Sequence, residues 1–279
     1  MRDRTLPTWL RLVLLLTGLM QFGFGLTVLS NPGLIANTWP WPLSPIDARL
    51  LGASSLVSVP LSIFTALVNR WSVGRIPLVM LLTYRVLQIL AGLIHLSRFD
   101  FTRLITWNYF GGGALLGAAL IYALVRGPKL GQPVDQWPTV LRDDAALRLS
   151  TLGRGVILAF AAIYFLIGLT LFISGQQGAW LWFERPEAVK ALTLRLFASP
   201  TTGLSLGLYL VTRTRRWREV AIPATGLATI GLTGSLALLL ERGSIAPPTV
   251  FGYYTALTPL LLLLLGLYLL LPGRSAQPG

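Results

Sequence analysis

The stretch WPWPLSPIDAR at residues 39–49 decides the fold, because its pattern WxWxxxP returns as WLWFERP at residues 180–186. A second pattern, RWxxxxIP, occurs at residues 70–77 and again at residues 216–223. The second copy of RWxxxxIP follows the first by 146 residues, and Arg195 follows Arg49 by the same interval. Several matches in one order, with intervals that drift by only a few residues, predict a tandem duplication.

The composition predicts that most of the protein's surface meets lipid. Of 279 residues, 54% are hydrophobic and only 12% are charged, and the mean hydropathy is +0.68. A water-soluble domain carries far more polar surface than this. The net charge of +13 comes from residues that stand between apolar runs, where positive charge sets membrane orientation. We therefore predict membrane lipids as partners and no nucleic acid.

Two absences from the sequence exclude whole classes of site. The chain has no cysteine, so it forms no disulfide, thiolate metal site or cysteine nucleophile. It has one histidine, which excludes a bis-histidine haem or a histidine-cluster metal site built by this chain alone. We predict no metal site and no catalytic residues. Enzymatic activity stays open, although the sequence favours its absence.

Eight apolar segments are each long enough to cross a bilayer as a helix, since about 20 helical residues span its core. The predicted spans are residues 9–29, 48–69, 76–97, 104–126, 154–174, 191–212, 220–240 and 251–271. The fold class is therefore an all-α polytopic integral membrane protein. Its eight transmembrane helices form two tandem, parallel four-helix repeats, residues 1–126 and 153–279, joined by a cytoplasmic linker at residues 127–152.

The distribution of basic residues predicts the orientation. With the N-terminus inside, 15 of the 23 lysines and arginines lie in inner segments, as the positive-inside rule favours. An even number of spans then places both termini in the cytoplasm. The first span follows three arginines, as in a signal peptide, but its apolar stretch is long and no cleavage pattern follows. We therefore predict a retained signal anchor.

The repeated tryptophans, Trp39 and Trp41 with Trp180 and Trp182, fall in outer loops after spans 1 and 5. Indole rings favour the membrane–water boundary, so we predict interfacial anchors. The alternative is a rim that packs over a flat apolar ligand.

The repeated arginines, Arg49 and Arg195, stand about a turn inside spans 2 and 6. We predict that their side chains reach the headgroups, near the acidic residues Asp47, Glu184 and Glu187. The alternative is direct contact with a lipid phosphate.

Span 3 carries polar residues at positions that share one helix face: Arg85, Gln88, Gly92 and His95. Arg85 stands near the middle of the bilayer, where a lipid-facing arginine costs several kcal/mol. Because no acidic residue stands in the core of any span, Arg85 lacks an obvious partner in its own chain. Gln88, Gln21, backbone carbonyls and water could satisfy it. Otherwise its partner is a carboxylate of another subunit, a lipid phosphate or an anionic substrate.

Two further features have both a structural and a functional interpretation. His95 is predicted to be a hydrogen-bonded residue at the membrane boundary, and the alternative is an axial ligand to a chlorophyll-type magnesium. The spacing of Gly113 and Gly117 in span 4 predicts close helix packing. That packing could lie within the chain or against a partner.

The stretch at residues 39–49 resembles a WPWxL[ST]PxxAR signature of uncharacterised bacterial multi-pass membrane proteins. The resemblance covers about forty residues of the first half, and the second copy keeps only WxWxxxP and a later arginine. It implies a protein of the bacterial cytoplasmic membrane and no particular activity.

The leading functional hypothesis is a non-catalytic accessory or scaffold subunit. It would bind other integral membrane subunits or a second copy of itself, and hold lipid or another apolar ligand at its interfaces. The alternative is a small transporter that uses Arg85 to bind an anionic or amphipathic substrate. A further alternative is a pigment- or lipid-handling membrane protein. No cofactor is predicted beyond bound lipid.

Overall fold

A computed structural model describes residues 3–36, 39–41, 43–131, 149–175, 191–214, 216–241 and 250–271. The protein is all-helical, as predicted. Its α-helices in chain order are α1 (Thr8–Ser30), α2 (Gly33–Ala36), α3 (Pro45–Val68), α4 (Trp71–Ile94), α5 (Leu104–Trp107), α6 (Gly113–Leu130), α7 (Thr151–Ser174), α8 (Ala191–Val211), α9 (Trp217–Leu240) and α10 (Val250–Leu270). A 3₁₀ turn at Leu96–Arg98 follows α4, and a π-helical turn at Asn108–Gly112 joins α5 to α6.

Among the described residues, six helical segments are long and apolar enough to cross a membrane: Thr8–Ser30, Pro45–Val68, Trp71–Ile94, Leu104–Gly127, Thr151–Ser174 and Trp217–Leu240. They correspond to predicted spans 1 to 5 and 7. Predicted spans 6 and 8 coincide with α8 and α10, which are not among the six. In α8, 14 of 21 residues are buried against other helices.

Spans 3 and 7 begin earlier than predicted, and each contains a proline. We expected them at residues 76–97 and 220–240, but α4 begins at Trp71 and α9 at Trp217. Pro77 and Pro223 lie inside these helices. Neighbouring helices and local adjustments compensate for a missing backbone N–H in membrane helices, so an internal proline is tolerated there.

The start of α3 is defined by its own sequence. The Ser44 hydroxyl accepts a hydrogen bond from the Asp47 backbone N–H, and the Asp47 carboxylate accepts one from the Ser44 backbone N–H. Together with Pro45 at the first helical position, this reciprocal pair is a capping box. The helix ends at Asn69, whose φ of 53° is left-handed.

Small residues allow close contact between helix pairs within each half of the chain. In the pair α1–α3, a Cβ added to Gly52 would lie 2.8 Å from the Leu29 backbone nitrogen and 2.9 Å from the Gly25 carbonyl oxygen. In the pair α7–α8, a Cβ on Gly168 would lie 3.3 Å from the Ala198 carbonyl oxygen. The absence of larger side chains lets these backbones approach closely.

The two halves pack through a crossed pair of contacts. Helix α4 of the first half packs against α8 of the second, and α9 of the second packs against α3 of the first. In the first of these interfaces, the Met80 side chain lies against Gly207, where an added Cβ would come within 2.5 Å of the Met80 sulfur. In the second interface, a Cβ added to Gly226 would lie 3.0 Å from the Leu61 side chain. Both halves therefore share one hydrophobic core.

Residues before α1 are held at the end of the molecule where α3 turns into α4. The Trp71 backbone N–H donates to the Arg4 carbonyl at 2.8 Å, and the Ser72 hydroxyl donates to the Asp3 carboxylate at 2.7 Å. The Leu6 backbone N–H donates to the Asn69 side-chain oxygen at 3.0 Å. This segment and the α3–α4 turn therefore lie on one side of the helical core.

Candidate functional site

Arg49 connects three helices near the opposite end of the molecule from the α3–α4 turn. Its Nε lies 2.6 Å from Oε1 of Glu241, the residue that follows α9. Its Nη1 donates to the carbonyl of Leu29 in the last turn of α1. Both side chains of the ion pair are mostly buried, at 15% and 12% exposed. Arg49 therefore joins α3 to its neighbour α1 and to the end of a helix from the other half.

Arg195 makes a matching set of contacts. Its Nη1 lies 2.6 Å from His95 Nε2, and its Nε donates to the Phe172 carbonyl at 2.8 Å. Because arginine has only donors, Nε2 of His95 is the acceptor, and a neutral His95 ring carries its proton on Nδ1. Burial, followed by the positive charges of Arg195 and Arg98, lowers the pKa of His95 below its ordinary value.

Among the repeated arginines, the contact of Arg49 corrects a prediction, whereas the acidic neighbours expected for Arg195 stay a prediction. We expected Asp47, Glu184 and Glu187 near them. Asp47 instead caps α3, and the carboxylate on Arg49 belongs to Glu241. The correction has a simple cause: the partner is 192 residues away in the chain, and only the packing of α9 against α3 brings it close. Glu184 and Glu187 lie outside the described residues.

Trp39 and Trp41 lie inside an aromatic cluster instead of at an exposed surface. Trp41 is 3% exposed and meets the Phe99 ring edge-on at 4.9 Å, while Trp39 stacks on Phe24 at 5.2 Å. Arg103 fixes the loop by donating to the Trp39 carbonyl at 2.8 Å. The predicted counterparts Trp180 and Trp182 lie outside the described residues.

A polar cavity of about 210 Å³ lies between α1, α3, α4 and the start of α6. It is lined by Thr17, Met20, Gln21, Phe24, Trp39, Ser55, Arg85, Gln88, Ile105, Asn108, Tyr109, Gly112, Gly113 and Leu116. One water molecule needs roughly 15 Å³ by this kind of measure, so the space is ample for a polar group with its hydration. Within the described part of the chain, no carboxylate lines it.

Arg85 is the only charged side chain among the described residues of that lining, and it is 5% exposed. Its Nη1 donates to Gln88 Oε1 at 2.6 Å, while its Nε has no hydrogen-bond partner among the described residues. Arg85 stands nine residues before Ile94, the last residue of α4, which is about 13 Å of helix. A guanidinium this deep, with a donor unused, is costly unless a further polar group meets it.

The π-helical turn forms one wall of the cavity. Three of its residues, Asn108, Tyr109 and Gly112, line the space, and the Tyr109 hydroxyl donates to the Gln88 carbonyl on α4. The sequence did not predict this wall. The only signal was an asparagine and a tyrosine ahead of three glycines, and a π-turn, which frequently marks a functional site, is not visible in that pattern.

The residues of the predicted polar face of span 3 lie in three different surroundings. Arg85 and Gln88 line the cavity. Gly92 leaves room for the Tyr109 ring, since an added Cβ would lie 2.6 Å from it. His95 lies at the helix end against Arg195 of the other half. The face is therefore not one binding site. Its middle belongs to the cavity and its C-terminal end to the contact between halves.

The two glycines of span 4 differ in their contacts. A Cβ on Gly113 would lie 3.4 Å from Ile89 of α4, an ordinary packing contact within the chain, whereas a Cβ on Gly117 would meet nothing within 4 Å. Gly113 also lines the cavity. Its close neighbour is thus α4 of the same chain.

A second, apolar cavity of about 80 Å³ lies between α7, α8, α9 and α10. The Tyr164 hydroxyl crosses from α7 to α10 and donates to the Thr258 carbonyl at 3.1 Å. At Gly231, a Cβ would lie 2.6 Å from the Pro259 carbonyl oxygen of α10, so α10 packs directly against α9 at this level. No arginine or other charged residue lines this space in the described residues.

The described residues contain no group of three or more histidine, aspartate or glutamate side chains that could hold a metal ion. No known protein family, curated protein or solved structure matches the chain. We therefore infer its function from the arrangement of its own residues. That arrangement combines a buried cation, amide and hydroxyl groups, and an apolar rim.

Proposed function

We propose that the protein is a non-catalytic integral membrane protein that holds a lipid or another largely apolar ligand in the Arg85 cavity, as an accessory or scaffold subunit. The observation that carries this proposal is the buried Arg85 side chain, which faces a polar cavity with no carboxylate in its described lining. A bound anionic group would offset the charge and use the remaining donors.

The proposed architecture is eight spans in two tandem four-helix repeats, with α8 and α10 as spans 6 and 8. The contacts of the repeated arginines support it. Arg49 and Arg195 stand 146 residues apart, and so do their partners His95 and Glu241, but each arginine meets the partner from the other half. A two-fold relation between the halves accounts for this exchange.

The two cavities give independent support to the same architecture. Residues that line the first cavity have counterparts 146 residues later that line the second: Ser55 with Thr201, Gln88 with Gly234, Gly112 with Thr258, Gly113 with Pro259, and Leu116 with Leu262. The counterpart of Arg85 is Gly231. The proposal is that ligand binding belongs to the first half, while the second half uses small residues to close its cavity by packing.

The same cavity favours one other function, a small transporter of an anionic or amphipathic substrate. The proposed accessory role is preferred because no acidic residue or histidine lines the described cavity, and such residues usually relay protons in coupled transport. For location, we propose the bacterial cytoplasmic membrane with both termini inside. The support is the resemblance at residues 39–49 and the distribution of basic residues.

The test is gentle extraction from native membranes, followed by native mass spectrometry and an absorption spectrum of the same sample. We expect a lipid or a partner subunit to remain bound to the wild type and to be lost from Arg85→Leu. Arg75→Gln, which removes an exposed charge at the start of α4, is the matched control and should retain it. If Arg85→Leu keeps the same bound species, the proposal is wrong. Arg85-dependent anion uptake into vesicles would instead favour the transporter.

A further inference from the structure

One side of the polar cavity lies at the exposed surface of the helical core. Its lining comes from α1 on one side and from Gly112, Gly113 and Leu116 on the other, and α1 and α6 pack only sparsely against each other. Met20, which lines the cavity, is 52% exposed on the outer face of α1. The sparse packing therefore leaves a gap between these two helices, and the cavity lining extends into it at Met20.

The corresponding gap of the second half is bridged. There the Tyr164 hydroxyl donates across from α7 to the Thr258 carbonyl of α10. The residue that stands 143 positions before Tyr164 is Gln21, which lines the first cavity. The first half thus has the amide of Gln21 in the cavity lining, where the second half has the Tyr164 hydroxyl that bridges two helices.

The lining is amphipathic in a way that matches one class of ligand. Arg85, Gln88 and Asn108 supply a cation and amide groups, whereas Met20, Phe24 and Leu116 supply apolar surface towards the gap. A cation and polar donors recognise a carboxylate or phosphate. Apolar side chains that lead to lipid accommodate a hydrocarbon chain, whose burial is favourable in proportion to its area.

We propose that the cavity binds a lipid-like amphiphile with one anionic group, which enters sideways from the bilayer between α1 and α6 and places that group against Arg85. The inference rests on the proposed ligand-holding function and adds the chemistry and the route of the ligand. Its hydrocarbon chain remains in the gap beside Met20, in contact with lipid.

The test is native mass spectrometry of the purified full chain, titrated with oleate, oleyl alcohol or acetate. Oleate carries both the charge and the chain, and the other two carry one each. We expect one oleate per protein, bound at least about tenfold more tightly than either comparison compound. Arg85→Leu should weaken oleate binding by about tenfold or more, while Arg85→Lys, which keeps the charge, should retain part of it.

A bulky residue in the gap tests the route. Met20→Trp should weaken oleate binding by about tenfold, while Leu19→Trp, at a position that is 61% exposed and outside the lining, should not. Circular dichroism and elution volume check that each variant is folded. Unchanged oleate binding by Met20→Trp would overturn the sideways route. Acetate binding as tight as oleate binding would overturn the amphiphile as the ligand. Both outcomes would leave Arg85-dependent binding intact. Unchanged oleate binding by Arg85→Leu would overturn the proposed function as well.

Discussion

Arg195 Nη1 lies 2.6 Å from His95 Nε2, and this contact ties α8 of the second half to the end of α4 of the first. Arg49 makes the reverse connection, from α3 of the first half to Glu241 at the end of α9 of the second. Each arginine also donates to a carbonyl in the last turn of another helix of its own half, Leu29 of α1 or Phe172 of α7. The two contacts differ in charge: one is an ion pair and the other joins a cation to a titratable base.

The ion pair should contribute measurably to stability. Arg49→Gln removes the guanidinium from the mostly buried Glu241 carboxylate, and we expect a loss of about 1–3 kcal/mol in the free energy of unfolding. Thermal denaturation of the detergent-purified protein measures it, with the exposed Arg75→Gln as control. In a double-mutant cycle with Glu241→Gln, the two losses should not add. Strict additivity would mean that the two side chains are not coupled.

The contact of Arg195 with His95 predicts a pH dependence. Burial, then Arg195 and Arg98, lowers the pKa of His95 in the folded protein, so the unfolded chain takes up a proton first as the pH falls below about 6.5. Stability should therefore decrease on acidification through the window between the ordinary pKa and the lowered one. Because the chain has one histidine, a single imidazole NMR signal reports the titration. Arg195→Gln should raise the pKa, and His95→Gln should remove the pH dependence in this window.

Two glycine substitutions in the interface between α4 and α8 should respond differently to a shortened Met80 side chain. A Cβ on Gly207 would lie 2.5 Å from the Met80 sulfur, whereas a Cβ on Gly203 would lie 2.8 Å from the Met80 backbone oxygen. Both Gly207→Ala and Gly203→Ala should lower stability by about 1–3 kcal/mol. Adding Met80→Ala should rescue Gly207→Ala and not Gly203→Ala, because only the first clash involves a side chain. Equal rescue of both variants in thermal denaturation would contradict this packing.

The sequence predicted the helices well and their partners poorly. Length and apolar character identify a span from local information, so α1, α3 and α7 lie close to their predicted bounds. The contact of Arg49 with Glu241 depends on how helices far apart in the chain pack, and no local pattern encodes it. The depth of Arg85 in the bilayer stays a prediction. The cavity around it did not follow from the sequence, because its wall is the π-turn at Asn108–Gly112.

Trp41 is another residue whose packing partners the sequence did not predict. Tryptophan in an outer loop predicts a boundary anchor, and that role stays a prediction. The side chain is buried against Phe99 and Tyr109, which adds a packing role that hydropathy alone does not reveal.

The difference between Gly231 and Gly117 provides the last prediction. A Cβ on Gly231 would meet the backbone of α10 at Leu263 and at the Pro259 oxygen, and backbone atoms cannot move aside as a side chain can. Gly231→Ala should therefore lower the free energy of unfolding by about 1–3 kcal/mol. Gly117→Ala meets nothing within 4 Å and should raise helix stability by up to about 1 kcal/mol, because alanine favours helix more than glycine does. If Gly117→Ala left thermal stability unchanged or higher but released a co-purifying subunit, Gly117 would be a contact with that partner, as its spacing from Gly113 allows. Retention of every co-purifying subunit by the stable variant would mean that Gly117 is not a contact with such a partner.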